Sequence, residues 1–171
     1  MDKSASIHDV FLNPGEFHFG DRHTRVRTLL GSCVAIVMWH AQRRIGGMCH
    51  FILPRSGKRT TASPNTRYAD EAVEVFMQHI RSAKTRARDY EVKIFGGGNM
   101  FPEFTKHGAM STIAAQNILA ARELASQYKL NLVGESVGGN GHRHVVFEIW
   151  NGNVRVKHED LRSSASEIMI V

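Results

Sequence analysis

Two short apolar segments separated by a polar stretch constrain the fold of this chain most. Residues 33–39 form a run of apolar and β-branched side chains, which is typical of a buried strand. Residues 45–53 form a second such segment, and Pro54 closes it because proline cannot continue a central ladder. The two segments predict a hairpin. That hairpin brings Cys33, at the start of its first strand, and His50, in its second, toward the same end of a sheet.

A thiol beside an imidazole is a pair that can perform nucleophilic chemistry. The thiolate is the reactive form of cysteine, and a neighbouring histidine is the usual base that generates it near neutral pH. Gly31 and Ser32 precede Cys33 as a turn of small residues, and its backbone N–H groups are natural donors to an oxyanion. The segment therefore indicates an enzyme that attacks an acyl or amide carbon. The alternative is that Cys33 is a small hydrophobic core residue, the commoner role of a free cysteine.

Length and composition restrict the class of protein. The chain has 171 residues, 42% hydrophobic and 22% charged, which is the composition of a globular protein. We expect one domain over residues 1–171, with its core at about residues 8–158 and a short polar C-terminal tail. The longest apolar run is too short to cross a bilayer, and the N-terminus has no apolar signal segment. These features predict a cytoplasmic protein without membrane insertion.

The cysteine and charge content bear on metals and partners. No zinc-ligand spacing such as CxxC or HExxH occurs, so no metal is expected. The formal net charge of +6 would attract nucleic acid or an acidic protein equally. The basic residues lack the interleaved aromatic side chains of a base-stacking surface. Solvated loops and helix faces are the simpler interpretation of these charges, and no nucleic-acid partner is expected.

The remaining periodicity predicts helices between strands. Helices are predicted for residues 66–87 and 111–128, where apolar side chains recur every three or four positions. Further strands are predicted before the Asn13-Pro14-Gly15 turn and at residues 93–95, 130–137, 145–150 and 154–157, the last two as a hairpin around Asn151-Gly152. This order predicts an α/β (α+β) sandwich, a single domain with two main helices packed on a mixed or antiparallel sheet. The tail from residue 161 is predicted to be loosely held until its last four residues, 168–171.

Two glycine-rich loops, residues 96–99 and 138–141, follow predicted strands. Neither has the Gly-Lys-Ser/Thr of a P-loop or the third glycine of a dinucleotide motif. Tight turns and the close approach of an extended substrate explain the glycines equally well. The candidate substrate or oxyanion residues are Gly31, Ser32, Gly98 and Asn99. Polar side chains of the second loop region are weaker candidates, with solvated loop polarity as the alternative: Asn140, His142, Arg143 and His144.

Five segments of the chain form a recognisable series. They are Thr28-Leu29-Leu30-Gly31-Ser32-Cys33-Val34-Ala35, Gly46-Gly47-Met48-Cys49-His50-Phe51-Ile52-Leu53-Pro54, Lys93-Ile94-Phe95-Gly96-Gly97-Gly98-Asn99-Met100-Phe101, Val137-Gly138-Gly139-Asn140-Gly141-His142-Arg143 and Asn151-Gly152-Asn153-Val154. Taken together and in this order, these segments resemble the CheD family of chemoreceptor glutamine deamidases. The resemblance covers about residues 8–158. Its Gly-Ser-Cys and His-x-x-Leu-Pro blocks are the most diagnostic.

The resemblance implies a cytoplasmic enzyme, an α/β sandwich without metal or organic cofactor, that converts glutamines on bacterial chemoreceptors to glutamates. Its partners would be receptor cytoplasmic helices and another chemotaxis regulatory protein. The resemblance carries the nucleophile to Cys33 and the base to His50, with Thr28 as the nearest candidate for a third catalytic residue. Cys49 is interpreted as a packing residue. The alternative function is a non-catalytic module that docks on receptors and regulates them by occupancy.

Overall fold

The computed structural model describes residues 5–57, 62–104, 112–163 and 165–171. Within these residues the chain forms ten strands, two α-helices and two short 3₁₀ turns. In chain order the elements are β1 (His8–Leu12), β2 (Phe17–Gly20), β3 (Thr24–Leu30), β4 (Val34–His40), β5 (Ile45–Phe51), α1 (Ala69–Ser82), a 3₁₀ turn (Ala87–Asp89), β6 (Tyr90–Gly96), a 3₁₀ turn (Pro102–Phe104), α2 (Ile113–Gln127), β7 (Asn131–Val137), β8 (His142–Glu148), β9 (Val154–Glu159) and β10 (Ser166–Ile170).

The strands of this described part form two mixed sheets that face each other. We call the sheet with strand order β2-β5-β4-β6-β7 the central sheet, and the sheet with order β1-β3-β8-β9-β10 the open sheet. Each contains one parallel pair, β6 with β7 and β1 with β3, among antiparallel pairs. Both helices pack on the face of the central sheet that points away from the open sheet. The prediction of an α/β sandwich with two helices on a mixed sheet is therefore confirmed.

The position of β4 between two hydrophobic cores explains why its sequence is apolar throughout. Val34, Ile36 and Met38 pack toward the two helices, whereas Ala35 and Val37 pack toward the open sheet. A strand buried on both faces needs an unbroken apolar run and not an alternating one. Two hydrophobic cores result, one between the helices and the central sheet and one between the two sheets.

The predicted hairpin is present and fixes the end of the sheet where the site lies. Strands β4 and β5 pair antiparallel, with Val34 opposite Phe51 and Ala35 opposite His50. Cys33 immediately precedes Val34, so Cys33 and His50 lie at the same end of the central sheet. If the ladder continued ideally to Cys33, Cys33 and His50 would be diagonal neighbours on one face of the sheet. Long side chains can bridge the distance between diagonal neighbours.

Several predicted elements are longer than the elements in the structure. The second hairpin strand ends at Phe51 because the N–H groups of Ile52 and Leu53 both donate to the carbonyl of Arg67, outside the sheet. Helix α1 is shorter than residues 66–87 because Lys84 adopts a left-handed conformation, with a φ of 56°, which helical residues do not tolerate. Helix α2 runs from Ile113 to Gln127, and predicted residue 111 lies outside the described residues.

Strands β2, β3 and β10 were not predicted. In β3 the buried residues Thr24, Val26, Thr28 and Leu30 alternate with arginines and Leu29, the period-two pattern of a sheet with one solvated face. The prediction that the tail is loosely held before residue 168 was wrong for residues 166 and 167. There β10 pairs antiparallel with β9, and Val171 exchanges two backbone hydrogen bonds with Val154.

Neither helix of the described chain is long and apolar enough to cross a membrane.

Candidate active site

The turn that carries the candidate nucleophile joins β3 of the open sheet to β4 of the central sheet. Its carbonyl groups are held from the glycine-rich loop after β6. Gly31 O accepts a hydrogen bond from the N–H of Gly98, and Cys33 O accepts one from the N–H of Gly97, both at 2.9 Å. The N–H groups of Ser32 and Cys33 donate to no acceptor in the part of the chain that the structure describes. These two donors are therefore available to a ligand.

The glycines of this loop are required by close contacts within the protein. Gly97 has a φ of 73°, and a Cβ there would lie 2.5 Å from Cγ1 of Ile118 in α2. A Cβ on Gly98 would lie 2.1 Å from the carbonyl oxygen of Gly141. Both contacts are shorter than real Cβ atoms allow, so neither position accepts a larger residue without a shift of the backbone. The positive φ of Gly97 fits a tight turn, one of the two explanations that the sequence left open, and close packing against Ile118 and Gly141 is a further reason for these two glycines.

His50 projects from the central sheet toward the open sheet, where Thr28 meets it. The Thr28 Oγ1 atom lies 2.7 Å from Nδ1 of His50 and donates a hydrogen bond of 2.9 Å to the carbonyl of Leu12 in β1. A hydroxyl has a single proton. Because Thr28 gives that proton to Leu12, it accepts a hydrogen bond from His50, which assigns the ring proton to Nδ1. The lone pair of His50 is then on Nε2.

Burial controls the electrostatics of the thiol and the imidazole. It lowers the pKa of His50 from 6.5 to about 4, partly offset by Glu16. Burial also raises the pKa of the half-buried Cys33 thiol, because a charged form is disfavoured where water is excluded. Among the described residues, His50 Nε2 is buried and has no hydrogen-bond partner. Both groups are therefore neutral near pH 7, and the structure contains no Cys33–His50 hydrogen bond.

A mainly apolar pocket of about 210 Å³ opens beside the nucleophile turn. Three of the predicted site residues, Ser32, Gly98 and Asn99, line it together. The other lining residues are Met100, Phe101, Thr112, Ile113 and Ala114. The first turn of α2 thus forms one wall. A pocket of this size fits a side chain better than a whole cofactor.

Gly31 and Asn99 support the pocket in different ways. A Cβ on Gly31 would lie 3.2 Å from Sδ of Met100, so the turn packs closely against the pocket wall. The backbone N–H of Asn99 donates to Gly139 O, and Asn99 O accepts from the N–H of Gly141. Asn99 Oδ1 accepts from the N–H of Phe101 at 2.9 Å. Asn99 therefore joins the two glycine-rich loops.

The weaker candidates lie away from this pocket. Arg143 is buried between the sheets, where its guanidinium donates to Ser136 Oγ and Gly138 O. His142 and His144 lie with Glu159 on the outer face of the open sheet, and the possible metal-ligand atoms of these three lie within 4.8 Å of one another. The two carboxylate oxygens of Glu159 already contact His142 and Lys157. This cluster is a hydrogen-bonded surface group, distant in the fold from the inner face that carries Thr28.

The sequence did not identify one buried polar side chain next to the nucleophile. Asn117 of α2 has no exposed surface, and its Nδ2 donates to Ser32 O at 3.3 Å and to Ile52 O at 2.8 Å. Its signal in the sequence was a single amide within the apolar stripe of a helix. Cys49, by contrast, is fully buried among apolar side chains, and burial raises its pKa to about 12. The interpretation of Cys49 as a packing residue agrees with this placement.

The site combines a half-buried thiol, a neutral imidazole oriented by a hydroxyl, backbone N–H groups without an acceptor among the described residues, and a pocket beside Ser32. These are the groups that a thiol-dependent hydrolase would use. Residues 52–158 match the family model described as CheD chemotactic sensory transduction. That segment begins after Thr28, Cys33 and His50, so the geometry of these three residues is an observation independent of the family match.

Three relatives align with nearly the whole chain. A protein of Pseudomonas fluorescens is 48% identical over 162 residues, which cover 94% of this chain and 90% of the relative. A protein of Pseudomonas savastanoi pv. phaseolicola is 46% identical over 164 residues, covering 95% and 92%. One from Dechloromonas aromatica is 45% identical over 150 residues, covering 88% and 87%. Each is named "Probable chemoreceptor glutamine deamidase CheD", the last with the number 3. The chain belongs to the CheD family.

Proposed function

We propose that this protein is a chemoreceptor glutamine deamidase, an amidohydrolase that converts glutamine side chains of bacterial chemoreceptors to glutamate with release of ammonia. One observation carries the proposal. Thr28 of the open sheet bonds to His50 of the central sheet at the end of the sandwich where Cys33 follows the pocket residue Ser32. The name shared by the relatives supports the substrate, and the site supports hydrolysis through a thiol.

His50 acts as the general base through Nε2. Its Nδ1–H is committed to Thr28, whose own proton goes to Leu12, so the imidazole is held in the tautomer that a base needs. Since burial lowers the pKa of His50 to about 4 and raises that of Cys33, a resting thiolate–imidazolium pair is disfavoured. The proton moves from Cys33 to His50 as the thiol attacks. Because the structure contains no Cys33–His50 hydrogen bond, this transfer requires the two side chains to move into contact.

The reaction proceeds through a thioester. The sulfur of Cys33 bonds to the amide carbon of the glutamine, and the electron pair of the carbonyl moves onto its oxygen. The N–H groups of Ser32 and Cys33 donate to this oxyanion. His50 gives its proton to the amide nitrogen, the C–N bond breaks, and ammonia leaves. Water, deprotonated by His50, then attacks the thioester. The C–S bond breaks as the carbonyl re-forms, His50 returns its proton to the sulfur of Cys33, and glutamate is released.

The substrate is a helix on the cytoplasmic part of a chemoreceptor. The apolar side chains of Met100, Phe101 and Ile113 line the pocket beside the nucleophile and would contact side chains next to the target glutamine. The net charge of +6 favours an acidic helical partner over a basic one. A second chemotaxis regulatory protein is the other partner we propose. No metal, organic cofactor or nucleic acid takes part in this scheme.

We further propose that residues 1–171 act as one deamidase domain, with the core at about residues 8–158, and that it operates in the cytoplasm. Receptor helices that carry glutamines for modification are accessible to it there without membrane insertion. A hydrolytic thioester route would also cleave a glutamyl methyl ester, because the same acyl-enzyme forms when methanol is the leaving group.

The decisive experiment incubates the protein with a chemoreceptor cytoplasmic fragment and measures glutamine-to-glutamate conversion by peptide mass spectrometry. Cys33→Ala is the test variant and Cys49→Ala the matched control, since both remove one thiol from the same hairpin. We expect conversion by the unmodified protein and by Cys49→Ala only. Conversion by Cys33→Ala would remove Cys33 from the mechanism. Receptor binding without conversion by any of the three would establish the non-catalytic docking module instead.

A further inference from the structure

Asn117 places an amide group in an otherwise apolar helix face. It lies in α2 between buried Ala114 and Ala121, has no exposed surface, and donates both protons of its Nδ2 group. One goes to Ser32 O at 3.3 Å and the other to Ile52 O at 2.8 Å. The two acceptors fix the orientation of the amide, since only the nitrogen can face two carbonyl oxygens.

The two carbonyls that Asn117 holds belong to the two strand ends of the site. Ser32 immediately precedes Cys33, and Ile52 lies two residues after His50. The carbonyls on either side of Ser32 are held from elsewhere, that of Gly31 by Gly98 and that of Cys33 by Gly97. Among the described residues, Asn117 therefore supplies the one side-chain hydrogen bond to the middle peptide of the nucleophile turn, the Ser32–Cys33 peptide.

That middle peptide also contains an oxyanion donor of the reaction. A trans peptide unit is planar, and its C=O and N–H point in opposite directions. The carbonyl of Ser32 and the N–H of Cys33 are the two ends of the same unit. A group that fixes the carbonyl of Ser32 therefore also fixes the direction of the Cys33 N–H. We propose that Asn117 is a positioning residue that aims the Cys33 N–H at the oxyanion by holding Ser32 O; this inference rests on the proposed thioester chemistry.

The amide is retained although it carries an energetic cost. Among the described residues, Asn117 Oδ1 is buried and has no hydrogen-bond partner, and an unsatisfied buried acceptor costs about 1–3 kcal/mol. An apolar residue would fill the same stripe without this cost but would leave two carbonyls unpaired. An aspartate of the same shape would turn a carboxylate oxygen toward them. Asparagine is the residue of this size that donates two protons from one atom.

Helix α2 also connects this contact to the pocket. Ile113 and Ala114, in its first turn, line the pocket beside Ser32, and Asn117 follows one turn later. Ile118 packs where a Cβ on Gly97 would lie. The helix that forms a pocket wall therefore also fixes the peptide that stabilises the oxyanion, so an occupant of the pocket contacts the element that aims the donor.

The test compares two reactions of the same thiol. Acetylation of Cys33 by p-nitrophenyl acetate passes through an oxyanion, whereas alkylation by iodoacetamide displaces iodide without forming one. We expect Asn117→Leu to lower the acetylation rate about 10- to 100-fold, a fraction of what loss of a whole oxyanion donor costs. The alkylation rate should stay within about threefold. Both rates are measured by intact-protein mass spectrometry with Cys49 replaced by alanine.

Leu124→Ala is the matched control, because it weakens the packing of the same helix without touching Ser32. We expect it to lower the unfolding temperature and leave the ratio of the two rates unchanged. Asn117→Ala removes the amide without adding bulk or charge and gives the same test if Asn117→Leu does not fold. Equal loss of both rates, or no loss of acetylation, would overturn the proposal. Because neither reagent is a receptor, this result is independent of whether the protein deamidates receptors.

Discussion

The two cysteines of the β4–β5 hairpin show how position within one small region determines the burial of a thiol. Cys49 lies in the middle of β5 and contributes to the core beneath the two helices, without exposed surface. Cys33 lies before the first residue of β4, is half-buried and packs against the core between the two sheets. Burial raises the pKa of both thiols, that of Cys49 to about 12.

The difference follows from strand phase and from distance to the strand end. Successive side chains of a strand point to opposite faces, so Cys49 points toward the helices while its neighbour His50 points toward Thr28 of the open sheet. A shift of the strand by one residue would turn Cys49 toward the open sheet and His50 toward the helices. Cys33 lies at the strand end, where the ladder stops and the N–H groups of Ser32 and Cys33 have no acceptor among the described residues, and the proposed nucleophile requires this placement.

The largest expected effect is on receptor deamidation. Cys33→Ala should lower the rate by at least about 10³-fold, because the covalent route is lost. Cys49→Ala should change the rate by less than about twofold and cost roughly 1–2 kcal/mol of stability through the small cavity it leaves. Peptide mass spectrometry measures the first quantity and urea unfolding the second. A loss of activity in Cys49→Ala that exceeds its loss of stability would contradict the separation of the two thiols.

The second comparison uses the thiols of the unmodified protein. At pH 8 iodoacetamide should label Cys33 at least about a hundredfold faster than Cys49, because the thiolate is the reactive form and Cys49 is both inaccessible and held neutral. Peptide mapping at successive times measures the two rates. In urea the two sites should react at similar rates, which serves as the control. Faster labelling of Cys49 in the folded protein would show that the hairpin opens before it reacts.

The hairpin could be predicted from the sequence, because its signal is local. Two apolar runs, a polar turn and a closing proline are enough to bring Cys33 and His50 to one end of a sheet. The contact between His50 and Thr28 could not be predicted in the same way. It depends on the stacking of two sheets, and β3, which carries Thr28, has arginines at alternate positions that obscure its buried face. The resemblance to a family suggested Thr28, whereas the bond itself is a finding of the structure.

Long-range pairing also explains the two other differences. The C-terminal segment looks polar until its last residues, and its order comes from pairing with β9, which no local pattern specifies. Asn117 interrupts an apolar helical stripe, and its role becomes visible only when two carbonyls from distant strand ends converge on it. In both cases the partner lies far away in the sequence. The fold class and the placement of Cys33 and His50 at one end of the central sheet could be predicted from local patterns; the contacts of Thr28 and Asn117 could not.

A third prediction concerns the hydroxyl that distinguishes the surroundings of Cys33 from those of Cys49. Thr28→Val keeps the shape of the side chain but removes the acceptor for His50 Nδ1–H and the donor to Leu12. Leaving buried groups unpaired costs about 1–3 kcal/mol, so we expect kcat to fall roughly tenfold to a hundredfold with little change in KM. Thr28→Ser should restore most of the activity. Equal activity of the valine and serine variants would show that the hydroxyl does not orient His50.

The smallest expected effect is a pH dependence of stability that comes from His50. Its pKa is about 4 in the folded protein, against an ordinary value of 6.5, so between these values the unfolded chain binds the extra proton. Its contribution to stability is therefore complete above about pH 6.5 and is lost as the pH falls toward 4. His50→Asn keeps an N–H near the position of Nδ1 and does not titrate.

Between pH 7 and pH 5 the unmodified protein should lose up to about 2 kcal/mol more stability than His50→Asn, measured by urea unfolding. His18 and His79, whose pKa values burial also lowers, are common to both proteins and cancel in the difference. Cys49→Ala is again the control, because its thiol is neutral throughout this range and its pH profile should parallel that of the unmodified protein. Parallel profiles for His50→Asn as well would mean that His50 is solvated in the folded state, and the neutral resting pair would have to be abandoned.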